Sequence, residues 1–150
     1  MHIDDPSDWN NLVSSTFFRL MQIQICIIYA YTGFEKLKGA TWWDGTALWT
    51  VFANPQFVNY DFIFLRNFPL FFAIGTFVTI VFEVYFPAMV AFRKTRHLWL
   101  GLGIVFHTAI AILISLWPFS LIMMSVYFLF LDKETLHVLK KSMPVVSKYL

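Results

Sequence analysis

Between Phe68 and Trp117 the chain offers two long apolar segments joined by a basic turn, Arg93-Lys94-Thr95-Arg96-His97, and each segment carries one ionisable residue well inside it. Glu83 lies nine residues before Phe92, and His107 lies nine residues after Leu98. At about 1.5 Å of rise per residue, two antiparallel helices folded at that turn would hold both side chains at similar depth. An ionisable group among lipid chains costs a few kcal/mol or more, roughly, unless it faces protein or a partner. Glu83 and His107 are therefore expected to form a buried polar pair, serving either to fix helix register or as a proton or ligand site.

The surrounding chain sets the class. Of its 150 residues, 59% are hydrophobic, 20% aromatic and 13% charged, far more apolar surface than a soluble domain of this length can hide. An all-α membrane protein is expected, a four-helix transmembrane bundle forming one domain over 1–150, with spans at 16–36, 68–92, 98–117 and 119–137. The net charge of +2 is too small to point to a nucleic-acid partner. The single cysteine, Cys26, excludes an intrachain disulfide, and the four dispersed histidines give no metal-ligand spacing.

Residues 1–15 form a polar lead-in with helix-start chemistry at Pro6-Ser7-Asp8, and no cleavable signal peptide is visible. In the first span, Arg19, Gln22, Cys26, Tyr29, Gly33 and Lys36 recur at steps of three and four, so they share one helical seam. That seam faces either a neighbouring helix or a ligand-bearing space leading to Lys36. Glu35 to Asn67 is punctuated by Gly39, Asp44-Gly45 and Asn54-Pro55, with an interfacial helix expected from Thr46 to Ala53, capped by Asp44. Trp42, Trp43 and Trp49 suit headgroup level, as an aromatic belt or as the wall of a quinone pocket. Tyr60 to Arg66 reads as another interfacial stretch.

In the second span Thr76, Thr79 and Glu83 fall on one face. In the third, Gly103, His107, Ala111 and Ser115 recur every fourth residue, a small-residue stripe that lets another helix approach closely. The stripe is expected to meet the acidic face of the second span. Pro118 then breaks the pattern before a fourth, short apolar segment, and Lys133, Lys140, Lys141 and Lys148 follow. Arg19, Arg93, Lys94, Arg96 and those tail lysines outnumber Lys36, Lys38 and Arg66. The positive-inside rule thus predicts two cytoplasmic termini and an outer loop at 37–67. Arg93, Lys94 and Arg96 set topology and meet anionic lipid.

The run Tyr31-Thr32-Gly33-Phe34-Glu35-Lys36-Leu37-Lys38-Gly39, with Trp43-Asp44-Gly45 and Trp49 behind it, resembles the HTTM membrane domain shared with vitamin K-dependent gamma-carboxylases. Glu83 with Pro87, Phe106-His107, Phe119-Ser120 and Met123 extend the resemblance over roughly Leu20 to Asp132. The resemblance implies a lumenal or outer active site in which Lys36 is the catalytic base of quinone oxygenation. Desolvation at the mouth of an apolar cavity disfavours a charged amine, which suits that role, whereas Glu35 beside Lys36 favours the ammonium. Lys36 read without the resemblance is a snorkelling lysine at a helix end.

Two functions follow: an accessory or scaffold subunit of a larger membrane assembly, held to other membrane subunits and the lipid bilayer, or a quinone-dependent carboxylase-like enzyme, whole or as half of a split one.

Overall fold

Pro6 opens a helix that continues to Lys38, named α1 (Pro6–Lys38). In the computed structural model the described residues are 6–56, 63–132 and 135. The lead-in expected at 1–15 is thus largely helical. A proline in the first turn has no N–H to miss, and the acidic and amide side chains after it are tolerated in a helix that hydropathy alone does not reveal. The membrane-length part of α1 is Asn11–Lys38.

After Gly39 come two short helices, α2 (Ala40–Trp43) and α3 (Ala47–Phe52). Gly45 takes φ +76° between them, and a Cβ there would meet the Ala73 Cβ at 2.9 Å, so the turn needs glycine on both counts. A 3-10 turn at Ile63–Asn67 leads into α4 (Pro69–Ala91), which Pro69 begins in the same manner as Pro6. The stretch expected at Tyr60 to Arg66 lies partly outside the described residues.

α5 is Arg93–Leu113, separated from α4 by Phe92 alone. The basic stretch expected to form a loop is therefore the first turn of a helix. Thr95 and Arg96 secure the corner: the Thr95 hydroxyl donates to the Met89 carbonyl at 2.7 Å and Arg96 Nε donates to the Val90 carbonyl at 2.8 Å. These bonds take up carbonyls that the end of α4 would otherwise leave unmatched.

Ser115, with φ +58°, turns the chain into α6 (Trp117–Val126), which continues as a 3-10 turn at Tyr127–Phe130. Pro118 begins this helix rather than breaking one. Among the described residues three helices are long and apolar enough to cross a membrane, α1, α4 and α5, and no strand occurs. The fourth expected span, 119–137, is thus not a membrane-length helix where it is described. Its ten α-helical and four 3-10 residues rise about 23 Å. That suffices to carry the chain back along α5, because Asp132 reaches Arg96, one turn into α5, with Oδ1 2.6 Å from Nη1.

The core gathers where α1, α4, α5 and α6 meet. Phe86 is fully buried there, stacked on Tyr29 with ring centroids 3.9 Å apart, beside Tyr127 and edge-on to Phe130. α1 crosses α4 closely because Gly33 presents no side chain: a Cβ would stand 2.9 Å from the Val84 backbone nitrogen. The shared seam of α1 is the face that packs, with Tyr29 and Gly33 buried and Gln22, Cys26 and Lys36 half-buried. The acidic face of α4 is likewise inward, with Thr76, Thr79 and Glu83 all buried.

Candidate functional site

Lys36 closes the inward seam of α1, one turn after the glycine that lets α4 approach. Its ammonium lies 2.6 Å from Glu83 Oε2, and the two side chains keep 21% and 10% of their exposure. The Lys36 Nζ also stands over the Trp42 ring, 5.3 Å from its centroid. A carboxylate and an indole face are both partners for a cation. Lys36 is therefore paired inside the bundle rather than snorkelling. Four residues beyond Glu83, Pro87 lacks the N–H that would bond the Glu83 carbonyl, so main chain and side chain of Glu83 both depart from regular helix behaviour.

His107 is buried at 1% exposure, but it does not meet Glu83 as expected. Its Nε2 is 2.7 Å from the Tyr29 hydroxyl, which in turn is hydrogen-bonded to the Tyr127 hydroxyl. The reason lies in the corner. Because α5 begins at Arg93, His107 is fifteen residues after Phe92 while Glu83 is nine before it. The six-residue difference separates them by about 9 Å along the helix direction. The stripe of Gly103, His107 and Ala111 is buried as expected, yet it faces α6: a Cβ on Gly103 would lie 2.5 Å from the Tyr127 hydroxyl.

Two polar centres replace the one expected from sequence. The first is ionic and joins α1 to α4. The second is neutral, a hydrogen-bonded run of Tyr127, Tyr29 and His107 that links α6, α1 and α5. Two buried polar atoms, His107 Nδ1 and Ser120 Oγ, have no hydrogen-bond partner among the described residues. Sequence reading passed over Tyr29 as a site residue although it lies on the same seam as Lys36. Tyr127 and Asp132 were legible only as part of a short apolar segment and its end.

The tryptophans separate by role. Trp43 is exposed and donates Nε1–H to the Leu37 carbonyl at 2.7 Å, whereas Trp49 packs edge-on to Phe72 of α4. Thr76 docks α3 on α4 by accepting the Leu48 N–H at 3.1 Å. Asp44 does not cap α3 as expected; the cap residue is Thr46, without a side-chain cap bond. The Asp44 carboxylate instead accepts both the hydroxyl and the N–H of Thr46, which holds its carboxyl below the usual carboxylate range. At the other end of the bundle Arg93 and Lys94 are exposed, while Arg96 is bonded to Asp132, whose second oxygen lies 3.5 Å from His97 Nε2. Among the described residues no group of three or more His, Cys, Asp or Glu side chains could hold a metal ion. The tail lysines lie outside the described residues.

Together these features define a helical membrane protein whose long helices are locked by one ion pair and one neutral hydrogen-bonded chain. The chain belongs to the HTTM domain family, which matches residues 2–134. It is 28% identical over 136 residues to the sporulation-delaying protein SdpB of Bacillus subtilis (strain 168), covering 87% of this chain and 42% of that protein. It is 29% identical over 118 residues to the uncharacterized protein YitO of the same organism, covering 75% of this chain and 38% of that one. The chain thus spans about two fifths of the length of these curated relatives. No solved structure matches it.

Proposed function

We propose that this HTTM domain acts as an accessory or scaffold module of a larger membrane assembly. The observation that carries the reading is the pairing of Lys36 with Glu83 at 2.6 Å, which commits to structure the one side chain that an oxygenating enzyme would need as a base. A second feature supports it: the outward faces of α1 are apolar along their length, from Leu12 and Phe17 to Ile27 and Phe34, and remain exposed. In SdpB and YitO the matching module is accompanied by more than its own length of further chain. Such a face suits helices of another subunit or of a longer protein.

Topology belongs to the same reading. Arg19, Arg93 and Arg96 line one groove, which supports placing them together on the cytoplasmic side, with 37–67 outside. The return of Asp132 to Arg96 supports a fourth leg ending on that side, and hence cytoplasmic termini.

Purification from native membranes in mild detergent, followed by mass measurement of the intact complex, tests the scaffold reading. A discrete hetero-complex is expected, and Phe17→Lys with Ile27→Lys should release the partner. A lone chain that turns over a quinone, and loses that turnover with Lys36→Ala, would overturn it.

A further inference from the structure

A groove of about 1260 Å³ opens between α1, the end of α4 and the 3-10 turn after α6. Among the described residues its rim carries Arg19, Arg93 and Arg96 together with a single carboxylate, Asp132. Asp132 is already committed to Arg96 at 2.6 Å and approached by His97. Arg96 also donates to the Val90 and Ala91 carbonyls, so each of its three nitrogens is engaged. Arg19 has one nitrogen bonded to Gln22 Oε1 at 3.1 Å, and Arg93 has no hydrogen bond or ion pair among the described residues. Two guanidinium groups therefore face the same space, neither paired with a carboxylate among the described residues.

Below that rim the walls turn apolar, with Ile23, Ile27 and Ala30 on one side and Pro87 and Phe128 on the other. A bond from Gln22 Nε2 to the Leu129 carbonyl ties the two walls together. Along α1 the groove extends from Ser15 to Ala30, about 22 Å, longer than the roughly 15 Å depth of one leaflet's hydrocarbon. A site with two arginines at one end and a long apolar channel behind it matches an amphiphile of the opposite charge.

We propose that this groove is a binding site for one anionic glycerophospholipid, its phosphodiester held by Arg19 and Arg93 and one acyl chain lying along α1 toward Ala30. The site is separate from the Lys36–Glu83 pair and holds for either orientation of the chain. A positive end favours phosphatidylglycerol over phosphatidylcholine, because the zwitterionic phosphocholine headgroup carries no net charge. Lys94, in the same basic turn but outside the groove, is not needed for it.

Native mass spectrometry of the full chain in detergent tests this with phosphatidylglycerol, phosphatidylcholine and glycerol phosphate as probes. Phosphatidylglycerol is expected to stay bound in several-fold excess over phosphatidylcholine, and glycerol phosphate, lacking the acyl chains, not to displace it. Arg19→Gln and Arg93→Gln should each weaken retention about fivefold, the effect of one basic residue at a membrane surface, while Lys94→Gln leaves it unchanged. Ala30→Leu, which narrows the apolar channel, should also reduce retention while the thermal midpoint of the apo chain holds. Equal retention of the two lipids would overturn the proposal. So would an effect of Lys94→Gln as large as that of Arg93→Gln, displacement by glycerol phosphate, or indifference to Ala30→Leu.

Discussion

Lys36 and Glu83, 47 positions apart in the chain, meet at 2.6 Å where α1 crosses α4. Each is the other's compensation in an apolar bundle. Removing one partner strands the other, so Glu83→Leu is expected to lower stability by about 3–5 kcal/mol, the magnitude seen when a buried pair is broken. Lys36→Met with Glu83→Leu should recover at least half of that loss, and unfolding midpoints of the two singles and the double give the coupling. His107→Leu should not rescue Glu83→Leu, since those residues do not touch.

Tyr29 is the junction of the neutral chain, bonded to both His107 and Tyr127. Tyr29→Phe leaves two buried groups unmatched and is expected to cost about 1–3 kcal/mol. Ser120→Ala removes a buried hydroxyl that has no partner among the described residues, so it should be neutral or stabilising by up to about 1 kcal/mol. Thermal unfolding of both variants in the same detergent checks the contrast, and a Ser120→Ala loss as large as that of Tyr29→Phe would contradict it.

Two glycines on α5 give a paired test of packing. At Gly103 an added Cβ would meet the Tyr127 ring and hydroxyl at 2.5–2.8 Å, while at Gly101 nothing lies within 4 Å. Gly103→Ala is expected to destabilise by about 1–3 kcal/mol through overpacking. Gly101→Ala should stabilise by up to about 1 kcal/mol through helix propensity alone. Equal midpoints for the two variants would mean that α6 does not seat against Gly103.

The proposed orientation is tested by labelling single cysteines with an impermeant maleimide in a Cys26→Ser background. Gln56→Cys should react in intact cells, and Lys94→Cys only after permeabilisation; both positions are exposed. The reverse pattern would invert the assignment of sides.

Hydropathy sufficed to place α4 and α5, because a run long enough to cross lipid leaves little choice of structure. It failed at the polar starts of α1 and α5 for the same reason: it reports affinity for lipid, not helicity. Residues 6–15 and 93–97 are helical but polar, and the latter error shifted His107 relative to Glu83 and produced the wrong pair. The seam on α1 had already singled out Lys36 and Tyr29 as inward-facing. What periodicity lacks is distance between helices, so it could not say which of two inward groups takes Glu83 and which takes His107. The last leg is harder to read from hydropathy, because its described part is a short helix prolonged by a 3-10 turn and a salt bridge, neither of which hydropathy records.

The bonds from Tyr29 to Tyr127 and from Gln22 to Leu129 bind the beginning of the chain to its later part across 98 and 107 positions. During synthesis α1 is made before α4, α5 and α6, and the tyrosine and glutamine on its inner face wait for partners that lie later in the domain. α1 can meet α4 early, but this part of its inner face stays unmatched until the last leg has been made. Any factor that shields those two side chains until residue 129 has been made would shape whether this small bundle assembles correctly.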